Sequence, residues 1–272
     1  MAAPTPVSSL VHSSTLVTAG VYLLVRFSPR FSAQQRVFVL LIGMLTMLMA
    51  RVRALYELDI KKIVALSTLS QLGIMFTGLG LHLTSLAMAH LITHAFFKAL
   101  LFISVGQLIH LSVDFQDLRN IGIAHSTRPT LSMAVLANLS LAGTPFISGF
   151  FSKDAIIELI NSNDIVIALW GLLYLSVAAT AAYCLRFTAL IALNPINSSK
   201  SGSSLDTDRT MHLAISILWP LAALAGRWLI WELVLPPVFF AVPSVVKVAP
   251  LALVASGAIV LMAGPMTKRP LS

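Results

Sequence analysis

Long, almost uninterrupted apolar runs are the feature of this sequence that most limits its fold. A membrane-spanning helix needs roughly 20 mainly apolar residues, and about eight such runs follow one another along the chain. They lie near 6–27, 35–55, 61–81, 84–111, 130–160, 165–194, 211–235 and 245–266. Backbone groups in lipid must be hydrogen-bonded within their own segment, which favours helices. The alternating polarity that is typical of a β-barrel does not occur. We therefore predict an all-α fold, a polytopic transmembrane helical bundle.

The scarcity of charge excludes a water-soluble protein. Charged residues make up 10% of the 272 residues, and hydrophobic residues make up 57%. Soluble domains carry about 25% charged residues. So few charges cannot cover a soluble globule, which excludes a cytosolic enzyme, a nucleic-acid-binding protein and a disordered chain. The net charge of +8 therefore indicates topology rather than a nucleic-acid partner, because most of the basic residues lie at the ends of apolar runs.

The distribution of these basic residues predicts an orientation. Basic residues accumulate on the cytoplasmic or matrix side of a membrane protein. If eight helices alternate in direction, the smaller group faces the side opposite the N-terminus: Arg26, Arg30, Arg36 and Lys247. The larger group falls on the side of the N-terminus: Arg51, Arg53, Lys61, Lys62, Arg119, Arg128, Lys200, Arg209, Lys268 and Arg269. We expect both termini on that positively charged side.

The fourth apolar run, LAMAHLITHAFFKALLF, contains the densest group of ionisable side chains. His90, His94 and Lys98 follow at i, i+4 and i+8, which places them along one side of a helix. Steps of about 6 Å along the axis suit proton transfer through intervening waters. Two alternatives stay open. The histidines could make packing hydrogen bonds while Lys98 extends to an interface, or the HxxxH pattern could supply two zinc ligands, although no third ligand or neighbouring glutamate is evident.

The fifth run, LSLAGTPFISGFFSKDAIIELI, predicts one discontinuous helix near 143–150. A proline in a helix removes a backbone donor and clashes with the preceding turn, and two half-helices meeting there would leave backbone groups free for ions or water. Lys153 and Asp154 follow directly. Lys153 could be a buried, switchable proton carrier, or both residues could form a pair in an interfacial loop. Glu158 could be a second carboxylate near Lys153 or a charge at a helix end.

Three further residues have more than one interpretation. His12 is the only ionisable group between Met1 and Arg26, and it could be a packing histidine or a member of a proton relay. Lys61 and Lys62 open the third run, where basic residues anchor a helix end at a membrane face or take part in a pathway.

Four segments resemble successive motifs of the NADH-ubiquinone oxidoreductase chain 5 family, the antiporter-like proton-pumping subunits of respiratory complex I. The segments are MAAPTPVSSLVHSSTLVTAGVYLLVRF, ELDIKKIVALSTLSQLGIMF, LAMAHLITHAFFKALLFISVGQLIH and LAGTPFISGFFSKDAIIE. The resemblance extends over roughly residues 1–190. HSST and DIKKIVALST are closer to mitochondrial than to bacterial members, which favours a multi-pass protein of the mitochondrial inner membrane over one of a bacterial plasma membrane.

The resemblance implies an antiporter-like fold with a defined division of the chain. Residues 1–27 would be the last helix of a first inverted repeat, and residues 28–194 a second inverted five-helix repeat that holds a proton half-channel. Residues 195–209 would form a polar loop, and residues 210–272 two further transmembrane helices.

The resemblance also implies a function: a proton-translocating membrane-arm subunit that couples quinone reduction to proton pumping through buried lysines and histidines. The pathway residues would be His12, His90, His94, Lys98 and Lys153, with Lys61, Lys62, Asp154 and Glu158 in pathway or structural roles. The chain would be a non-redox subunit of an H⁺-translocating NADH:ubiquinone reductase, with no catalytic, cofactor-binding or metal-binding residue. FMN, iron–sulfur clusters and ubiquinone would belong to partner subunits.

Members of the family are longer than this chain. Their upstream glutamate and lysine of a first half-channel have no counterpart here, and neither has their lateral helix. We therefore expect a split or partial chain whose partners are companion fragments, other complex I membrane-arm subunits and lipids, with no nucleic acid. Two alternatives remain: a subunit of a multi-subunit cation/proton antiporter, and a structural membrane module of a respiratory complex.

Overall fold

The chain forms a helical bundle in the computed structural model, which describes residues 7, 10–11, 15–111, 116–118, 128–162, 167–193 and 209–233. The helices in these ranges are α1 (Leu16–Phe27), α2 (Ala33–Tyr56), α3 (Ile60–Gly80), α4 (Thr84–Leu111), α5 (Arg128–Ala142), α6 (Ala155–Ser162), α7 (Ile167–Leu193) and α8 (Arg209–Leu233). The predicted all-α fold is confirmed. The predicted run over 245–266 lies outside the described residues.

Several of these helices have the dimensions of membrane spans. Four described helices are long and apolar enough to cross a membrane: Ala33–Tyr56, Ile60–Gly80, Thr84–His110 and Leu169–Ile191. The predicted run over 130–160 is divided into α5 and α6, with a short π-helical segment, Phe150–Asp154, directly before α6. This division confirms the discontinuous helix expected near 143–150.

Local signals in the sequence explain where α2 begins. Ser32 caps the helix, and its hydroxyl accepts a hydrogen bond from the backbone N–H of Gln35 at 3.4 Å. The side chain of Gln35 accepts one from the backbone N–H of Ser32 at 2.9 Å. This reciprocal arrangement satisfies backbone donors that the first turn of a helix leaves free.

Two loops pair at the end of the bundle where α3 begins. The backbone N–H of Ile60 donates to Gln116 O at 3.0 Å, and that of Leu118 donates to Leu58 O at 3.1 Å. The side chain of Leu118 is fully buried among residues of α3 and α4. The pairing therefore closes this end of the α3–α4 pair with apolar side chains.

Glycines bring α2 and α3 into backbone contact. A Cβ placed on Gly73 would lie 2.7 Å from the carbonyl oxygen of Gly43. Small residues at crossing points are how membrane helices approach closely. The largest apolar cluster then joins residues of α2, α3, α4, α5, α7 and α8. Polar side chains of α3 and α4 are buried as well, among them Ser67, Gln71 and Lys98.

Candidate functional site

The helix break begins at the end of α5, where Gly143 adopts a φ of 84°. The N–H of Gly143 donates to Ser140 O at 3.3 Å, and that of Thr144 donates to Leu139 O at 3.2 Å. This is the Schellman pattern that ends helices at a glycine in the left-handed region. The carbonyl of Ala142, the last residue of α5, then becomes available to a side chain.

The side chain that binds this carbonyl is that of Lys153. The π-helical segment Phe150–Asp154 buries Lys153, which is 1% exposed. Its ammonium donates to Ala142 O at 2.8 Å and to Thr180 Oγ1 on α7 at 3.4 Å. The C-terminal end of a helix carries partial negative charge, so the end of α5 stabilises the positively charged form of this lysine. The helix break at Ala142 and Gly143 and the side chain of Lys153 thus form one structural unit.

A hydrogen-bonded chain connects this unit to the histidine column of α4. His90 Nδ1 lies 2.8 Å from Ser152 Oγ, and His90 Nε2 lies 3.2 Å from Gln71 Oε1. Ser152 Oγ also lies 3.1 Å from Thr93 Oγ1. Since Ser152 directly precedes Lys153, the imidazole of His90 and the lysine of the broken helix belong to one buried network.

The column continues along α4 from His90 to Lys98. The imidazole rings of His90 and His94 are 6.2 Å apart, and neither nitrogen of His94 has a hydrogen-bond partner among the described residues. Lys98 is completely buried and donates to Val64 O at 3.3 Å and to Ser67 Oγ. Lys98 therefore points into the bundle against α3 and does not extend to an interface.

This arrangement can transfer protons but is poorly suited to hold zinc. Imidazoles, hydroxyls and amines can pass a proton on when waters bridge the distances between them. His94 is a place where such a bridge is needed, because neither of its nitrogens has a hydrogen-bond partner among the described residues. Both ring nitrogens of His90 are already engaged by Ser152 and Gln71. Among the described residues, no three histidine, cysteine or acidic side chains are grouped to bind a metal ion.

The other residues singled out in the sequence lie in different settings. Lys62 is half exposed and pairs with Asp59 at 2.5 Å and with Glu57 at 3.8 Å, as a helix-end anchor would. Lys61 is partly exposed, Asp154 is buried beside Lys153, and Glu158 is partly buried on α6. His12 lies outside the described residues.

Sequence reasoning missed several members of the site. Gln71, Ser152 and Thr180 contact the histidine or lysine side chains, yet a single polar residue in an apolar run gives no sign of its partner. Arg51 was counted among the basic residues at one membrane face, but the structure buries its side chain completely. The sequence did contain an indication of this burial, because Arg51 lies within the apolar run, five positions before the end of α2.

The first comparison with known proteins concerns a family model. Residues 1–180 match the model described as "NADH:quinone oxidoreductase/Mrp antiporter, TM". The match covers α1 to α6 and the first half of α7, up to Thr180, and therefore all of the buried network described above.

Curated relatives extend the similarity further along the chain. The chain is 43% identical to NADH-ubiquinone oxidoreductase chain 5 of Anopheles gambiae over 249 residues, which cover 91% of this chain and 43% of the relative. It is also 43% identical to NADH-ubiquinone oxidoreductase chain 5 of Lumbricus terrestris over 265 residues, covering 95% and 46%. The chain thus spans less than half the length of these relatives.

Solved structures share the fold. A chain of the Mrp complex from Dietzia sp. superposes with a TM-score of 0.73 at 24% identity, covering 97% of this chain and 31% of that one. A chain of the membrane-bound sulfane sulfur reductase, an archaeal respiratory membrane complex, superposes with a TM-score of 0.71 at 20% identity, covering 93% and 52%.

Proposed function

The chain belongs to the NADH:quinone oxidoreductase/Mrp antiporter transmembrane family, and from this premise we propose that it carries protons through the membrane arm of an NADH:ubiquinone oxidoreductase. The names of the relatives at 43% identity support this assignment. Because those relatives come from animals, we assign the chain to the mitochondrial inner membrane.

One observation carries the proposal: the hydrogen bond between His90 and Ser152, 2.8 Å long, which joins the column of α4 to the segment of Lys153. Ionisable groups inside a membrane are costly and mark proton or substrate pathways. The relay that we propose runs from Lys98 through His94 and His90 to Lys153, within a five-helix repeat over residues 28–194. We also assign His12, which lies outside the described residues, to this relay.

Each member of the relay has a distinct chemical role. Lys98 and Lys153 store a proton as an ammonium that Ser67 Oγ and Ala142 O stabilise, respectively. His90 can accept a proton at one ring nitrogen and release one at the other. Waters complete the path at His94, whose nitrogens are buried and lack protein partners among the described residues.

The redox chemistry lies elsewhere in this proposal. FMN, iron–sulfur clusters and ubiquinone belong to partner subunits, and this chain is a non-redox component. The outer face of α2 supports further membrane partners, because large apolar side chains such as Phe38, Leu45 and Met49 are exposed there. Lipid, other membrane-arm subunits and companion segments of the same subunit would cover this face.

Neutral variants of the two buried lysines test the proposal. In the assembled complex, reconstituted in liposomes, we expect Lys153→Met and Lys98→Met each to lower the number of protons pumped and the coupled oxidation of NADH. Met fills a similar volume but cannot bind a proton. Lys62→Met, at an exposed ion pair outside the relay, is the matched control and should pump normally. Normal pumping by both assembled variants of the buried lysines would contradict the proposal and favour a structural membrane module.

A second candidate is a subunit of a multi-subunit cation/proton antiporter, because the family description includes Mrp antiporters. Purification under native conditions separates the two functions. A proton pump of the respiratory chain should migrate with NADH-oxidising activity, whereas an antiporter subunit should migrate without flavin or iron–sulfur subunits and should exchange cations for protons in liposomes.

A further inference from the structure

Arg51 is the most unusual charged residue among the described residues. Its side chain is completely buried, and Nε, Nη1 and Nη2 all lack a hydrogen-bond partner in the described part of the chain. Burying a charge without partners is strongly unfavourable unless something compensates for it. The unfavourable free energy of burying Arg51 indicates a function that requires its positive charge.

The space beside Arg51 limits what could accompany it. Arg51 lines a cavity of about 10 Å³ together with Thr77, Ile157 and Val177, among other residues. That volume admits about one water molecule. The Thr77 hydroxyl donates to Ile74 O at 2.7 Å. A lipid headgroup or a partner side chain therefore does not fit beside Arg51 in this cavity.

The same cavity adjoins the surroundings of Lys153. Ile157 lies one helical turn after Lys153, and Val177 O accepts a hydrogen bond from Thr180 Oγ1 at 2.5 Å. Thr180 Oγ1 in turn accepts from the ammonium of Lys153. Arg51 is near enough to Lys153 and to the protonated form of His90 for like charges to repel each other. Arg51 therefore lies near Lys153, at a cavity whose lining residues include members of α2, α3 and α7.

A guanidinium keeps its proton at neutral pH, so it cannot relay protons. It repels any proton that approaches, which is how a fixed arginine or helix dipole excludes protons and cations from other membrane pores. Building on the proposed function, we propose that Arg51 is a fixed-charge barrier that closes the α2–α3–α7 side of Lys153 to protons. Lys153 then exchanges protons only through Ser152 and His90.

Neutral and titratable replacements of Arg51 test this barrier in the intact complex reconstituted in liposomes. Arg51→Met and Arg51→Gln should raise the passive proton conductance measured without NADH by about tenfold, as removal of ~1.4 kcal/mol from a barrier does. They should also lower the protons retained per NADH oxidised, without slowing NADH oxidation. Arg51→Lys should leak as well, because a buried ammonium can release its proton whereas a guanidinium cannot. Arg53→Met is the matched control, because Arg53 is exposed on the same helix.

Each outcome either supports or overturns the proposed barrier at Arg51. Wild-type conductance in Arg51→Met and Arg51→Gln overturns the barrier, as does an equal leak in Arg53→Met, because the position of the charge would then be irrelevant. We expect assembly to survive, since an apolar replacement for a buried unpaired charge is often neutral or stabilising. Failure of both neutral variants to assemble would assign Arg51 a structural role and also overturn the barrier. Lys153→Met and Lys98→Met, measured in parallel, isolate the proposed function: normal pumping in both variants refutes the relay, whatever Arg51 does.

Discussion

The ammonium of Lys153 lies 2.8 Å from the carbonyl oxygen of Ala142, the residue at which α5 ends. Two halves of a broken helix thus meet through one charge-assisted hydrogen bond. A continuous helix could not offer this carbonyl, because each interior C=O already accepts a bond from the residue four positions later. The break therefore creates the acceptor that holds a protonated lysine inside the bundle.

Gly143→Ala should destabilise the contact between Lys153 and the end of α5. Gly143 has a φ of 84°, and an L-residue with a Cβ costs about 1–2 kcal/mol in the left-handed region. We expect a lower temperature of thermal dissociation for the assembled complex and slower pumping, because the Ala142 carbonyl would shift relative to Lys153. Native gels of heated samples and proton uptake by liposomes measure the two effects.

Gly171→Ala on α7 is the control for this change. Nothing lies within 4 Å of a Cβ placed on Gly171, and alanine in a helix interior is favoured over glycine by roughly 0.5–1 kcal/mol. Gly171→Ala should therefore leave pumping unchanged and the thermal stability equal or higher. Equal stability of the two alanine variants would contradict the strain assigned to Gly143.

Ser152→Ala should interrupt the connection between His90 and the segment of Lys153. The substitution removes the hydroxyl that lies 2.8 Å from His90 Nδ1 and 3.1 Å from Thr93 Oγ1. A buried group left without its partner costs about 1–3 kcal/mol, so we expect pumping and NADH oxidation to fall together by roughly tenfold. Ser152→Thr retains a hydroxyl and should recover part of the rate.

Ser132→Ala is the matched control, since Ser132 is exposed and its hydroxyl donates to Pro129 O of its own helix. A Ser152→Ala complex that pumps like the Ser132→Ala complex would exclude Ser152 from the relay.

Periodicity and composition predicted the parts of the site that depend on one helix. The spacing of His90, His94 and Lys98 placed them in one column, and Gly143 marked the break. The partners across helices could not be predicted, because Val64 O is 34 positions from the lysine that it binds. Arg51 and Arg53 show the same limit: two residues apart on α2, one is buried and the other exposed. Which face of α2 is covered depends on how α3 and α7 pack against it, and a one-helix pattern contains no information about that packing.

Gly73→Ala should weaken the contact between α2 and α3. Its Cβ would lie 2.7 Å from Gly43 O and 2.9 Å from Met47 Cα, and neither backbone atom can move without separating the helices. Overpacking of this kind costs typically about 1–3 kcal/mol, so we expect less assembled complex and a lower dissociation temperature. Gly20→Ala, where nothing lies within 4 Å, controls for the change of residue type. Assembly at the level of the Gly20→Ala complex would show that the two helices tolerate a wider spacing.

Gly226→Val on α8 should impair pumping, although the residue is remote in sequence from the relay. Ser148, within the break, donates its hydroxyl to Ala222 O, and a Cβ on Gly226 would lie 2.8 Å from the carbonyl carbon of Ser148. The two branches of valine would push α8 away from the break and release the segment that positions Lys153. We expect fewer protons pumped per NADH, with a smaller defect for Gly226→Ala and none for Gly171→Val. Wild-type pumping by an assembled Gly226→Val complex would show that the break holds its shape without α8.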